Sequence, residues 1–165
     1  MSLIEHLDGE GWEGFLRGTF EYSLKLLKTD QFRYAGSAVD DLKSWLAVGG
    51  VSRVKHHLNN QMDQRRYSAD KKTLINDLLD QLAQEHRLEI ADLMARKVIR
   101  AGPQEFFFTL GFTMPEIEDM LRQFSEGKSF EEMARSYGYS DDDIAHAKRL
   151  VDEWFDKKNR NSIGD

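Results

Sequence analysis

The sequence predicts an all-α protein in which a helical bundle body is followed by a small C-terminal unit of three helices. Proline occurs at only two positions, Pro103 and Pro115. Strong helix formers such as Leu, Ala, Glu, Lys, Gln, Arg and Met dominate the long stretches between glycines. We therefore expect a body over residues 1–104, a C-terminal unit over 105–157 and a polar, frayed tail over 158–165.

The first half of the body shows two helical series of apolar residues and one amphipathic segment. The first series is Phe15, Phe20, Leu24 and Leu27, and the second is Ala38, Leu42, Trp45 and Leu46. Thr29-Asp30 ends the first helix, and Gly49-Gly50 breaks the second. Residues 51–66 carry a narrow apolar stripe among polar and basic residues, which indicates a helix on the surface. The stripe is Val51, Val54, Leu58 and Met62.

The second half of the body predicts a central helix or helix pair from about Leu74 to Val98, broad enough in its apolar face to be buried on two sides. The polar step Glu85-His86-Arg87 divides it, and the position of His86 on the apolar stripe predicts a partly buried side chain. Gly102-Pro103 ends the pattern. The Phe-rich segment 106–112 follows, and we expect it to seal the junction with the C-terminal unit by core packing. A short strand is the alternative.

Three helix-start boxes divide the C-terminal unit. Each places a hydroxyl at a cap position and a carboxylate three residues later, so that two backbone N–H groups are satisfied reciprocally. The boxes are Thr113-Met-Pro-Glu116, Ser129-Phe-Glu-Glu132 and Ser140-Asp-Asp-Asp143. The sequence therefore predicts three short helices that begin directly after Thr113, Ser129 and Ser140.

The segment 129–150 resembles the helix-turn-helix of bacterial regulators. Ala134 supplies the small residue where two helices cross, and Gly138 suits the turn. Met133, Ile144 and Ala147 would fill the shared core. In that family, the first residues of the second helix contact base edges in the major groove. Here those residues are Asp141, Asp142 and Asp143, which would repel phosphate. We therefore expect this helix to contact protein rather than DNA.

Charge is distributed unevenly along the chain. Residues 51–104 carry seven acidic and ten basic residues, whereas residues 105–165 carry fourteen acidic and eight basic residues. A polyanion would meet the middle of the chain. The second hypothesis is therefore a DNA-binding regulator that uses the basic helix 51–66, with phosphate contacts from arginine and lysine and adenine contacts from amides. The candidate residues are Arg53, Lys55, Asn59, Asn60, Gln64, Arg65 and Arg66.

The sequence contains no recognisable catalytic or cofactor-binding motif. It has no cysteine, which excludes disulfides, zinc–thiolate sites and thiol catalysis. The five histidines lack metal-binding spacing, and the glycines of segment 9–14 lack the preceding strand that a dinucleotide fingerprint needs. We predict no catalytic residue, no metal and no cofactor. A helical enzyme or ligand-binding protein with an unidentified site is the third hypothesis.

Our first hypothesis is a small cytoplasmic regulatory or adaptor protein that binds a protein partner with a basic surface. Its interaction residues would be Asp141, Asp142, Asp143, Trp154 and Phe155, because acidic groups steer a basic partner and buried aromatics supply affinity. Trp154 and Phe155 also suggest a homodimer contact. No apolar run approaches the ~20 residues of a membrane span, so we expect no membrane partner.

Overall fold

The computed structural model describes the backbone of residues 1–29 and 35–163, and side chains as far as Glu153. Within those residues the regular structure is helical and contains no strand, which confirms the predicted all-α fold. The helices are α1 (Leu3–Leu7), α2 (Trp12–Lys28), α3 (Ser37–Gln64), α4 (Ala69–Glu85), α5 (Arg87–Ala95), α6 (Pro103–Thr109), α7 (Met114–Ser125), α8 (Phe130–Ser136) and α9 (Asp141–Ile163). None of these described helices is long and apolar enough to cross a membrane.

The N-terminal helices α1 and α2 pack against each other and against α3. Leu3 and Leu7 of α1 are fully buried. This helix was not predicted, because a segment of five residues is too short to show a helical period. The helix α2 begins at Trp12, before the apolar series becomes regular, and it ends at Lys28 as the sequence predicted.

The predicted break at Gly49-Gly50 is a sharp kink within α3. Gly50 has φ 75° and ψ −160°, a conformation that is essentially restricted to glycine. The rings of Trp45 and His57 stack across the kink, with their centroids 4.8 Å apart. In the second half of α3 the predicted apolar stripe is buried, so residues 51–64 lie on the body with their polar sides outward.

Of the two alternatives that the sequence left open for the central segment, the structure shows the helix pair, α4 and α5. The hydroxyl of Ser68 caps α4 by accepting a hydrogen bond from the Lys71 backbone N–H at 3.2 Å. His86 separates α4 from α5, and its side chain is only 20% exposed, which confirms the predicted partial burial. Its ring lies against Phe20 of α2, at a centroid distance of 6.0 Å.

Residues 106–109 of the Phe-rich segment lie in the helix α6, and residues 110 and 111 form the turn that follows it, so the strand alternative is wrong. Gly102 is extended and Pro103 occupies the first turn, where the missing N–H of proline costs nothing. The helix contacts α3, α5 and α7. Phe106 and Phe107 are buried, in agreement with the predicted core packing, but Phe108 is 49% exposed and departs from it.

The three C-terminal helices begin directly after Thr113, Ser129 and Ser140, as the caps predicted. Gly138 has φ 86° in the turn between α8 and α9. The predicted core positions of these two helices are buried, and they belong to the same apolar cluster as the core of the body. They are Met133, Ala134, Ile144 and Ala147. The backbone of α9 is helical to Ile163, beyond the boundary that the sequence placed at residue 157.

Candidate protein-interaction site

The first turn of α9 places three aspartates on the surface. Asp141, Asp142 and Asp143 are all exposed. Arg135 Nε lies 3.7 Å from Asp141 Oδ1, but the two side chains are 69% and 88% exposed. An ion pair this open to water contributes little, because solvent screens the charges. We call these three residues the acidic tip.

Capping does not occupy the carboxylates of the acidic tip. The complete reciprocal box occurs at Thr113, whose backbone N–H donates to Glu116 Oε1 at 2.9 Å while its hydroxyl accepts from the Glu116 N–H. At Ser140 the hydroxyl accepts from the Asp143 N–H at 3.2 Å, and the described residues show no return bond to the carboxylate. The predicted reciprocity is therefore wrong for this box, where the side chain of aspartate is one methylene shorter than that of glutamate.

The box at Ser129 is also incomplete. Its hydroxyl accepts from the Glu132 N–H at 3.3 Å, while the described contacts include no bond from the Glu132 carboxylate back to the cap. The predicted reciprocity is wrong here too. Both acidic boxes therefore start their helices through serine alone, and the carboxylates of Glu132 and Asp143 are exposed at the positive end of a helix dipole.

Polar contacts between the C-terminal helices hold the acidic tip in place. Lys148 Nζ of α9 lies 2.7 Å from Glu131 Oε1 of α8, and this bond raises the pKa of Lys148. The hydroxyl of Tyr137 donates to Asp119 Oδ2 at 2.6 Å, which joins the end of α8 to α7. Because Lys148 is paired with Glu131, this nearby cation is not available to neutralise the tip.

A cleft of about 180 Å³ lies beside the acidic tip. Asp143 forms part of its wall, together with Arg87 from the start of α5. Its apolar lining includes Phe112, Phe130 and Ile144. The tip therefore stands at the edge of a depression between the body and the C-terminal helices. Trp154 and Phe155, the other predicted interaction residues, lie outside the described side chains.

The residues predicted to bind nucleic acid are partly engaged within the protein. Lys55 Nζ lies 2.7 Å from Asp80 Oδ1, and Arg65 Nη2 lies 2.5 Å from Asp8 Oδ2. Hydrogen bonds from Arg65 and then from Tyr67 lower the pKa of Asp8. DNA phosphates would have to compete with these carboxylates for both cations.

The amides of this segment are also partly engaged within the protein, because Asn59 is hydrogen-bonded while Asn60 and Gln64 are exposed. Asn59 and Asn76 exchange hydrogen bonds of 3.0 and 2.9 Å, which ties the second half of α3 to α4. Five of the seven predicted residues are exposed: Arg53, Asn60, Gln64, Arg65 and Arg66. Of these, the described contacts give Arg53 and Arg66 no acidic partner.

The histidine beside these residues adds little positive charge. Partial burial, followed by the nearby charge of Arg53, lowers the pKa of His57. Two unpaired arginines neutralise few phosphates, so the counterion release that drives DNA binding would be small. The DNA hypothesis therefore has less support from this geometry than protein contact at the acidic tip.

Phe108, which the sequence assigned to core packing, and Met114, which it did not single out, are half-exposed apolar side chains. They are 49% and 43% exposed and line the same depression. The sequence did hold a signal for Phe108. Three consecutive phenylalanines on a helix point in directions about 100° apart, so that one of them faces away from a one-sided core.

Neither a metal site nor a similar protein helps to identify the function of the site. Among the described residues, no group of three histidines or carboxylates is placed to hold a metal ion. Comparisons of the chain with protein-family models, with curated proteins and with solved structures found no match.

Proposed function

We propose that this chain is a cytoplasmic regulatory or adaptor protein that acts by binding another protein. In this proposal α8 and α9 form a helix-turn-helix-like unit whose second helix faces protein, and the acidic tip meets a basic surface of the partner. The observation that carries the proposal is the state of the tip. Its three carboxylates are exposed, take no part in capping and are not neutralised by Lys148.

Long-range electrostatics support the same function. Residues 105–165 carry a net charge of −6, whereas residues 51–104 carry +3. A field of one sign on one part of a protein accelerates encounter with an oppositely charged partner. The tip lies in the acidic part, so its charge adds to that field rather than opposing it.

The rigidity of the surrounding helices also supports the proposal. The Lys148–Glu131 ion pair links α9 to α8, and the Tyr137–Asp119 bond links α8 to α7. The buried side chains of α8 and α9 join the core of the body. A charged group held on such a scaffold loses little entropy when a partner binds.

Protein capture with charge-neutral variants tests the proposal. The variant D141N/D142N/D143N removes the tip, and E13Q/D70N/D77N removes three exposed carboxylates elsewhere, so that both have the same net charge. Each variant is used as bait in cell extract, with cross-linking and identification of the captured proteins by mass spectrometry. We expect basic proteins that bind the wild type and the control but not the tip variant.

Salt provides a second measurement in the same experiment. Raising the salt from about 0.05 to about 0.5 M shortens the Debye length from roughly 14 to roughly 4 Å, so that capture through the tip should weaken. Equal capture by the two variants, or capture that does not respond to salt, would contradict the proposed function. Thermal melting confirms that each variant is folded.

A further inference from the structure

Three depressions adjoin one another, because neighbouring ones share wall residues. The largest, of about 590 Å³, lies between α3, α4, α6 and the start of α7. It shares Gln84 and Phe112 with the cleft beside the acidic tip. It also shares Glu105 and Phe108 with a third depression, of about 450 Å³, that reaches Met114. We call the three together the junction groove.

The junction groove has apolar side chains that the protein itself leaves uncovered. Phe108 and Met114 are about half exposed on its wall, while Val51 and Phe112 belong to its buried lining. The neighbouring Phe107 is fully buried and packs against the ring of Phe112, at a centroid distance of 6.2 Å. Packing of Phe107 therefore fixes α6, so that Phe108 is presented from a rigid helix. Large apolar side chains grouped in one depression mark a binding surface more often than scattered ones do.

The charges along the junction groove favour a cationic occupant. Glu105 lies on the wall that the largest and the third depressions share, where its Oε2 accepts a hydrogen bond of 2.6 Å from the Ser52 hydroxyl. Asp143 lies on the wall of the cleft beside the acidic tip. Hydrogen bonding to serine leaves the negative charge of Glu105 in place. The cation Lys55 is already neutralised by Asp80, at 2.7 Å.

The remaining cation of the junction groove does not reverse this balance. Arg87 Nη1 donates to the Gln84 carbonyl oxygen at 3.2 Å, which leaves one positive charge against the carboxylates of Glu105 and Asp143. The acidic tip adds Asp141 and Asp142 beside the groove. The junction groove therefore has an apolar wall and, among the described residues, an unpaired carboxylate, Glu105 or Asp143, in each of its three depressions.

We propose that the junction groove binds a segment of a partner protein that carries large apolar side chains flanked by lysine or arginine. The proposal rests on the proposed function, that this chain acts by binding protein, and names the site and the chemistry of the partner segment. Charge argues against two other occupants. A second copy related by a two-fold axis would bring two acidic faces together, and an anionic membrane surface would be repelled.

Selection from a phage-displayed library of random peptides, on the immobilised full chain, identifies what the groove accepts. The peptides recovered are synthesised and their affinities are measured by fluorescence polarisation. The groove variant is F108S/M114S, and the matched control is V48S/L74S, which removes two exposed apolar side chains that do not line the groove. We expect peptides with a net positive charge and at least one large apolar residue.

The expected result is a loss of affinity of about tenfold or more for the groove variant and a change within about twofold for the control, because anchors in a depression dominate binding. In addition, E105Q should weaken the binding of the same peptides, and the loss of affinity should be larger at low salt. Circular dichroism and thermal melting establish that every variant is folded. Because the substituted side chains are already half exposed, their loss leaves the core intact.

Three outcomes would overturn the proposal: no enrichment over a carrier protein, enrichment of acidic peptides, or equal affinity for the groove variant and the wild type. The variant D141N/D142N separates this result from a failure of the proposed function. If the peptides lose affinity for F108S/M114S while the tip variant still captures basic proteins, the groove proposal stands and the acidic tip has no role in binding. The opposite pattern would keep the tip and remove the groove.

Discussion

The substitution Gly50→Ala tests the kink that shapes α3. Gly50 is buried and has φ 75° and ψ −160°, so any side chain there is placed in a strained backbone conformation. A Cβ atom would lie 2.9 Å from Met94 Cε and 3.1 Å from Glu105 Oε1. Both distances are shorter than ordinary van der Waals contact, so the neighbours must move.

The size of the effect follows from these two costs. A non-glycine residue held in such a φ/ψ region lowers the free energy of unfolding by about 1–3 kcal/mol. Overpacking of a filled site lowers the free energy of unfolding by about 1–3 kcal/mol more. Met94 Cε is the end of a flexible side chain and can move, whereas Glu105 is held by Ser52, so we expect a total of about 2–4 kcal/mol. For a chain of this size that corresponds to a melting temperature lower by roughly 4–16 °C.

Thermal and urea unfolding followed by circular dichroism measure this change, with Gly18→Ala as the matched control. Gly18 lies in the middle of α2, and a Cβ atom there would meet nothing within 4 Å. Alanine at that position should stabilise the helix by about 0.5–1 kcal/mol. If Gly50→Ala melts within about 1 °C of the wild type, the argument from backbone strain and crowding is refuted.

Two further predictions concern pH and DNA. A hydrogen bond from Tyr137 lowers the pKa of Asp119, so this contact stabilises the fold fully above the unfolded-state pKa of about 3.9 and is lost as pH falls through the lower folded value. As pH falls below ~4, the melting temperature of Asp119→Asn should therefore fall less steeply than that of the wild type. An equally steep fall in the two proteins would show that the Asp119–Tyr137 contact does not contribute to this pH dependence. For DNA, we expect no retardation of random duplex at low salt, because only Arg53 and Arg66 of the basic segment are free cations. Retardation that R53E/R66E abolishes would restore the DNA hypothesis.

The helix boundaries that the sequence predicted well are those set by local chemistry. Thr113, Ser129 and Ser140 mark helix starts because a cap hydroxyl acts on backbone within three residues. Gly50 marks the kink because its effect is also local. By contrast, α1 is defined by the burial of Leu3 and Leu7 against distant helices, and no short-range pattern records that.

The candidate sites were less predictable because they depend on contacts between distant residues. Arg65 meets Asp8, and Lys55 meets Asp80, so the basic segment is less free than its composition suggested. The acidic tip was visible in the sequence, since all its residues are consecutive. The junction groove was not, because its wall combines residues from α3, α4, α6, α7 and the start of α9.

The kink at Gly50 and the proposed groove are physically connected. Glu105 lies close to Gly50 and binds Ser52, two residues further along α3. Glu105 and Phe108 are three residues apart on α6, so they share one face of that helix. The turn of α3 at Gly50 therefore sets the distance between Ser52 and the face of α6 that carries both the acid and the exposed ring. A side chain at position 50 would push α3 and α6 apart, so that Glu105 and Phe108 would move together away from the α3 side of the groove.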